Sequence, residues 1–276
     1  MALPNLFYQV GFGLAFLNTL LVLWTVCKLI HILPGLGPLS QRHAYSIALS
    51  STCFNYLLIK ACPWVKLRGL PELEQAWAQM AAEGAAPFVI ANHNSKLDSL
   101  LITALLPTWL GPRMRSLIKL ALFSEPLFGG ICTAVGHFPV YFKGSKAGDF
   151  GVDKEAQGKV AVAMDKFLRE DGGLLIFPEG QLNKTPRKIQ TLRRGAFNLA
   201  IAHKKPIWGF INVGCEKAWP YTSAMGGFPC DIYVRAFKVT DDASKFDNIQ
   251  LADHAGKIMQ EQLDEIYNII DNKKLE

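Results

Sequence analysis

The first stretch of the chain, Met1 to Cys27, contains no charged side chain, and within it Leu14 to Val26 is dominated by Leu, Val, Phe and Trp. An apolar run of that length is long enough to cross a bilayer as a helix, so it predicts a membrane helix over about residues 7–33. A cleaved secretory signal fits less well, because no basic segment precedes the run and no clear small-residue cleavage site follows it. Lys28, His31, Arg42 and His43 come directly after it. The positive-inside tendency then puts the following chain in the cytosol, as for a signal anchor.

A second uncharged stretch, Ala44 to Ile59, carries Ser46, Ser50, Ser51, Thr52 and Asn55 and is too polar to span. Following the Pro34-Gly35-Leu36-Gly37-Pro38 break, it predicts a helix that is shallow, re-entrant, packed on the protein, or simply buried in the domain that follows. The organisation expected is an N-terminal membrane module over residues 1–60 and a single domain over residues 61–276.

Half of the residues are hydrophobic, enough for one sizeable core with apolar sequence left over at the N-terminus. The net charge of +6 invites a nucleic-acid partner. The aromatic residues, however, lie within apolar runs rather than among the basic ones, which favours anionic lipid or a phosphorylated substrate instead. Cys27, Cys53, Cys62, Cys132, Cys215 and Cys230 show no paired short spacing and read as free thiols in a reducing compartment. Nothing has metal-ligand spacing.

After residue 60 strand and helix patterns alternate. Helices are predicted over 71–80, 97–106, 154–168 and 195–203, and strands over 88–91, 115–118, 139–142, 173–177 and 206–213. Ile258, Met259, Leu263, Ile266 and Ile270 form the apolar stripe of a C-terminal helix that docks on the core. This order argues for an α/β fold, a mixed sheet flanked by helices, with ligands at the strand-to-helix turns.

Two such turns carry chemistry. In Ala91-Asn92-His93-Asn94-Ser95-Lys96-Leu97-Asp98, a buried strand runs into a capping-box-like start of an apolar helix. His93 and Asp98, five apart, cannot share a helical face. His93 therefore lies in the loop, with Asp98 in the first helical turn folding back toward it. In Leu174-Leu175-Ile176-Phe177-Pro178-Glu179-Gly180, a second apolar strand ends in a tight turn that places a carboxylate at the strand end. From Gln181 to Cys215 there are seven basic residues and no acid: Lys184, Arg187, Lys188, Arg193, Arg194, Lys204 and Lys205. That run could hold a phosphate or anionic headgroups.

Taken in order, these segments resemble the glycerophospholipid acyltransferase family typified by 1-acylglycerol-3-phosphate acyltransferases. Asn92-His93-x-x-x-x-Asp98 matches its first block. Ile118-Lys119 with Pro126-x-x-Gly129 resembles the segment after it, Gly136 to Lys143 the second block and Phe177-Pro178-Glu179-Gly180 the third. Arg194-Gly195-Ala196-Phe197 and Pro206 resemble the approach to the fourth. The likeness covers about residues 88–213. Three departures bear on the acceptor headgroup: Lys143 stands where the family has Arg, Gln181-Leu182 replaces Thr-Arg, and the run after Pro206 lacks a second proline.

The resemblance implies acyl transfer from acyl-CoA, a co-substrate rather than a bound cofactor, to the free hydroxyl of a membrane lysophospholipid, foremost 1-acylglycerol-3-phosphate giving phosphatidic acid. His93 would be the base and Asp98 its orienting partner. Lys143, Glu179 and Gly180, with Phe177 and Pro178 of the same turn, would bind the acceptor, and Lys119 and Arg194 would contact phosphate. A different lysophospholipid acceptor, a coenzyme-A-independent transacylase and a catalytically silent lipid-binding scaffold are the alternatives. The terminal Lys273-Lys274-Leu275-Glu276 resembles a dilysine retrieval signal, which with the charge bias places the protein in the endoplasmic reticulum membrane facing the cytosol. The oligomeric state is left open.

Overall fold

The computed structural model describes residues 3–141 and 153–273. Phe142 and Lys143, and the last three residues of the dilysine segment, lie outside them. The helices are α1 (Leu3–Ile32), α2 (Leu39–Cys53), α3 (Leu70–Glu83), α4 (Leu97–Leu105), α5 (Phe128–Val135), α6 (Lys154–Arg169), α7 (Asn198–Ala202), α8 (Cys215–Ala218) and α9 (Asn248–Asn272). The strands are β1 (Val65–Arg68), β2 (Phe88–Ala91), β3 (Met114–Lys119), β4 (Phe138–Val140), β5 (Gly173–Ile176), β6 (Ile207–Val213) and β7 (Cys230–Thr240).

The strands form one mixed sheet in the order β1-β7-β6-β2-β5-β3-β4, with β7 antiparallel to β6 and the remaining pairs parallel. All four residues of β2 are buried, as are all four of β5 and all seven of β6. That is the pattern of parallel strands covered on both faces. Alternation then divides the core. Val89 and Ala91 join Phe210 and Trp208 on the face covered by α1 to α5, whereas Phe88 and Ile90 join Ile207, Ile211 and α9 on the other. Helix α9 docks its stripe as its periodicity indicates: Met259, Leu263, Ile266 and Ile270 are buried, and Asp247 closes a capping box with Gln250 at its start.

The two N-terminal helices belong to the first of these faces. Phe12, Leu20 and Leu23 of α1 are buried in the same apolar cluster as β2 and β6. The opposite side of α1 is bare, with Phe7, Val10, Leu14, Leu17 and Leu21 exposed at alternating spacings of three and four. Among the described residues, Asn5–Ile32 is the one helix long and apolar enough to cross a membrane, by length and composition. Helix α2 starts earlier than its uncharged stretch and continues from Cys53 into a wider turn over Phe54–Ile59. It packs on the protein, with Ser46 and Ser50 buried; the Ser50 hydroxyl donates to the Ser46 carbonyl at 2.8 Å and Ser46 meets His31.

Other elements differ from expectation, among them β1, which was not anticipated. The predicted helix over 195–203 is a 3-10 turn, Arg194–Phe197, followed by the short α7. Strand β7 was not anticipated, although Ile232, Val234, Ala236 and Val239 give it a buried face. Nor was α5, which rests on close packing: a side chain at Gly129 would overlap the Phe123 carbonyl.

At the β3–β4 edge, His137 is partly buried and accepts from the Ser116 peptide at Nδ1, 3.0 Å away. Burial, aided by Arg115 and His43, pushes its pKa down to about 3. The folded protein thus keeps His137 neutral where an unfolded chain protonates it. Stability should fall as pH drops from about 6.5 toward 3, at up to about 1.4 kcal/mol per pH unit. Equilibrium denaturation of His137→Asn, which keeps an acceptor for Ser116, should lack this part of the slope.

Candidate active site

Because β2, β5, β3 and β4 run parallel, their C-terminal ends share one edge of the sheet. The β2 and β5 ends are adjacent. In the loop after β2, His93 Nδ1 lies 3.1 Å from Asp98 Oδ2. The same oxygen accepts the peptide N–H of Asn94 at 2.6 Å and of Ser95 at 2.8 Å. The Ser95 hydroxyl in turn accepts from Leu97 N at the start of α4 and donates to the Trp219 carbonyl. The capping-like start therefore forms, and it is the same carboxylate that reaches His93.

The Asp98 side chain is fully buried while that of His93 keeps 23% exposure. An ionised carboxylate only accepts, so Nδ1 must carry the proton and Nε2 presents a lone pair. Among the described residues Nε2 has no hydrogen-bond partner. Phe177 stacks on the imidazole with ring centroids 4.2 Å apart at 24°, confining the ring to its plane.

From the β5 end, Glu179 approaches the same loop. It is buried, and its Oε1 accepts the His93 peptide N–H at 2.9 Å. Its Oε2 accepts from Asn183 Nδ2 at 2.8 Å and Gln190 N at 3.0 Å. Burial raises its pKa, and the His93, Gln190 and Asn183 hydrogen bonds act against that rise. Glu179, expected at the acceptor, thus spends its carboxylate on the protein rather than facing solvent. The Gly180 peptide closes the turn onto the Phe177 carbonyl at 3.0 Å. With φ at 73°, Gly180 holds a conformation glycine tolerates best, and a Cβ there would overlap the Arg193 side chain. The Pro178 carbonyl accepts from Arg193 N at 2.8 Å, which brings that basic residue to the turn.

The structure accordingly gathers His93, Asp98, Phe177, Pro178, Glu179 and Gly180. Lys119 ends β3, two strands away. The register, Ser116 opposite Leu175 and Val89 opposite Leu175, sets it level with Asn92 at roughly 10 Å laterally. Arg194 is exposed at the start of its 3-10 turn, and it is its neighbour Arg193 that lies against Gly180. Lys143 falls outside the described residues. Arg193 was named from sequence only within the basic run, and Asn183 and Trp219 were not singled out. Asn183, four residues after the glutamate, is a short polar residue in a basic run with no pattern to mark it. Among the described residues no group of three or more His, Cys, Asp or Glu could hold a metal ion.

Buried parallel strands deliver a histidine–carboxylate pair and a second carboxylate to one edge, an arrangement suited to general-base chemistry, and a family model supplies the class of enzyme. The model described as Acyltransferase matches residues 74–211, half of the chain, and the protein belongs to that family of enzymes. The crystal structure of the 1-acyl-sn-glycerophosphate (LPA) acyltransferase PlsC from Thermotoga maritima superposes with a TM-score of 0.69 at 14% identity, covering 96% of each chain. That likeness is one of fold. No curated protein sequence matches the chain.

The hydrogen bonding at Glu179 yields a prediction. Glu179→Gln would set an amide N–H against either one or two N–H donors, leaving buried groups unpaired. Denaturant unfolding should show a loss of about 2–3 kcal/mol, larger than for the same change at an exposed glutamate.

Proposed function

We propose that this acyltransferase moves an acyl chain from acyl-CoA to the free hydroxyl of a lysophospholipid, with 1-acylglycerol-3-phosphate as the foremost acceptor. The observation that carries the reading is the His93–Asp98 pair, whose geometry leaves Nε2 as the available base. The acceptor hydroxyl loses its proton to Nε2 as its oxygen attacks the thioester carbonyl carbon. The C–S bond then breaks, the imidazolium returns its proton to the leaving sulfur, and the products are the diacyl lipid and coenzyme A. Asp98 favours the imidazolium through the step. No enzyme nucleophile takes part.

The acceptor phosphate needs cations at the same sheet edge. Lys119 from β3, Lys143 after β4, and Arg193 and Arg194 beyond β5 are the side chains we assign to it. Phe177, Pro178 and Gly180 shape the wall beside the imidazole, and Glu179 holds the His93 loop.

Membrane attachment through residues 1–60 belongs to the same proposal, with residues 61–276 as the catalytic domain. Helix α1 packs along one side against the protein and exposes apolar side chains along the other, which suits a helix immersed in lipid beside the domain better than an isolated span. Its Phe12 and Phe16 contact Trp219, with ring centroids 5.5 and 5.6 Å apart, and Trp219 holds Ser95 of the His93 loop. A lipid held at α1 is therefore near the site. We assign the site to the cytosolic side of the membrane, on the charge bias after α1.

Membranes bearing the enzyme, given labelled acyl-CoA and a panel of lysolipids, should form phosphatidic acid fastest. Product from another lysolipid alone would move the acceptor assignment, and no coenzyme-A-dependent product would overturn the donor assignment. His93→Ala should lose about 10²–10⁴-fold in rate; full activity in that variant would remove the mechanism. Leu14→Ser with Leu17→Ser should weaken retention on phospholipid vesicles in a flotation assay without altering the folded domain's circular dichroism.

A further inference from the structure

His93 is gripped by its backbone as well as by its ring. Its peptide N–H donates to Glu179 Oε1 at 2.9 Å, and its carbonyl accepts from Asn183 N at 2.6 Å. The two grips are joined, because the Asn183 side chain donates through Nδ2 to Glu179 Oε2 at 2.8 Å. The turn from Glu179 to Asn183 thus closes on the histidine peptide from both sides.

Asn183 itself is held without slack. It is 3% exposed. Its Nδ2 also donates to the Lys188 carbonyl at 2.7 Å, which uses both amide hydrogens. Its Oδ1 accepts from Thr185 N at 2.8 Å, the Thr185 hydroxyl at 2.9 Å and Gln190 Nε2 at 3.1 Å. The orientation is forced, since turning the amide over would set its N–H groups against the Thr185 and Gln190 N–H donors and its oxygen against a carboxylate.

We propose that Asn183 is a positioning residue for acyl transfer: it closes the backbone clamp that holds His93 in register with the attacking hydroxyl. The proposal rests on His93 being the base. Asn183 touches neither the imidazole nor the opening beside it, so its effect is on rate through geometry and not on substrate affinity. A shift of about 1 Å in a catalytic group costs on the order of 10²-fold in rate, and the clamp is what stands between the His93 peptide and such a shift.

Asn183→Ala and Asn183→Asp distinguish this role from simple stabilisation. In Asn183→Ala the link to Glu179 is gone at every pH. In Asn183→Asp two buried carboxylates face each other and share one proton. The protonated pair restores a donor toward Glu179, so the clamp closes below the pair's raised apparent pKa and opens as pH rises through it. The titratable groups around this position are Glu179 from the β5 turn and His93 from the β2 loop; Lys188 presents its carbonyl, and Arg193 lies across Gly180. Steady-state kinetics across pH, with both substrates varied, reads the result. The expected outcome is a kcat loss on the order of 10²-fold in Asn183→Ala with KM unchanged, and a deficit in Asn183→Asp that is smaller at low pH and grows with pH.

Wild-type kcat in Asn183→Ala, a raised KM with kcat retained, or equal pH-independent deficits in both variants would overturn the proposal. If both variants lack a cooperative unfolding transition at the assay temperature, Thr185→Val decides, because it removes the hydroxyl that donates to Asn183 Oδ1 and accepts from Gln190 Nε2 while leaving Asn183 and Glu179 themselves unchanged. A kcat loss with KM held supports the role there, and an unchanged kcat overturns it. His93→Ala in the same assay separates the two levels. Activity surviving in it overturns the reading of His93 and this proposal together, whereas an inactive His93→Ala beside a fully active Asn183→Ala overturns only the positioning role.

Discussion

Two buried carboxylates converge on one short loop. Asp98 Oδ2 takes three hydrogen bonds, from the His93 ring and the Asn94 and Ser95 peptides; Glu179 takes three more, from the His93 and Gln190 peptides and Asn183. Burying a carboxylate is costly unless such donors replace water. Three of these donors are peptide N–H groups of the very segment that carries the imidazole and a fourth is its ring, so holding the carboxylates also fixes the histidine. That arrangement needs two parallel strands that end side by side, as β2 and β5 do.

The rest of the molecule can be read as what keeps those strand ends in place. Helix α4 starts immediately after the loop and buries Leu97, Leu100 and Leu101 beneath it. Helix α9 covers the opposite face. The N-terminal helices complete the α4 side, and through Phe12, Phe16 and Trp219 they reach the loop itself. The proposed acyl-transfer site and a helix with a bare apolar stripe are in this way parts of one packed unit.

Much of this was legible in the chain. Apolar runs ending at His93 and Glu179 gave both strand ends, and the five-residue spacing required His93 to lie off the helix that Asp98 begins. The strands that were missed, β1 and β7, fail to announce themselves for different reasons. Val65–Arg68 is four residues with one buried position. In β7 the buried positions run Ile232, Val234, Ala236 and then Val239, so the alternation breaks after Ala236, where the pairing with β6 shifts register between Lys238 and Thr240. At the site, sequence could not say which of two adjacent arginines lies on Gly180, because that depends on a segment 13 residues away in sequence folding back through the hydrogen bond from the Arg193 peptide N–H to the Pro178 carbonyl. Nor could it show that Glu179 points inward. A carboxylate at a strand end reads as a substrate ligand until the donors around it are seen, and Asn183 and Gln190 become donors only when their loop closes.

The central claim is that Asp98 acts on His93 through its charge and does more than cap a helix. Asp98→Asn separates the two roles, because one oxygen accepts all three hydrogen bonds and an amide oxygen in its place can keep them while removing the charge. The transfer rate of this variant is the most direct measurement. The account predicts a loss of roughly 10²–10⁴-fold with a nearly unchanged unfolding midpoint. Wild-type transfer in a variant that has lost the charge would contradict it.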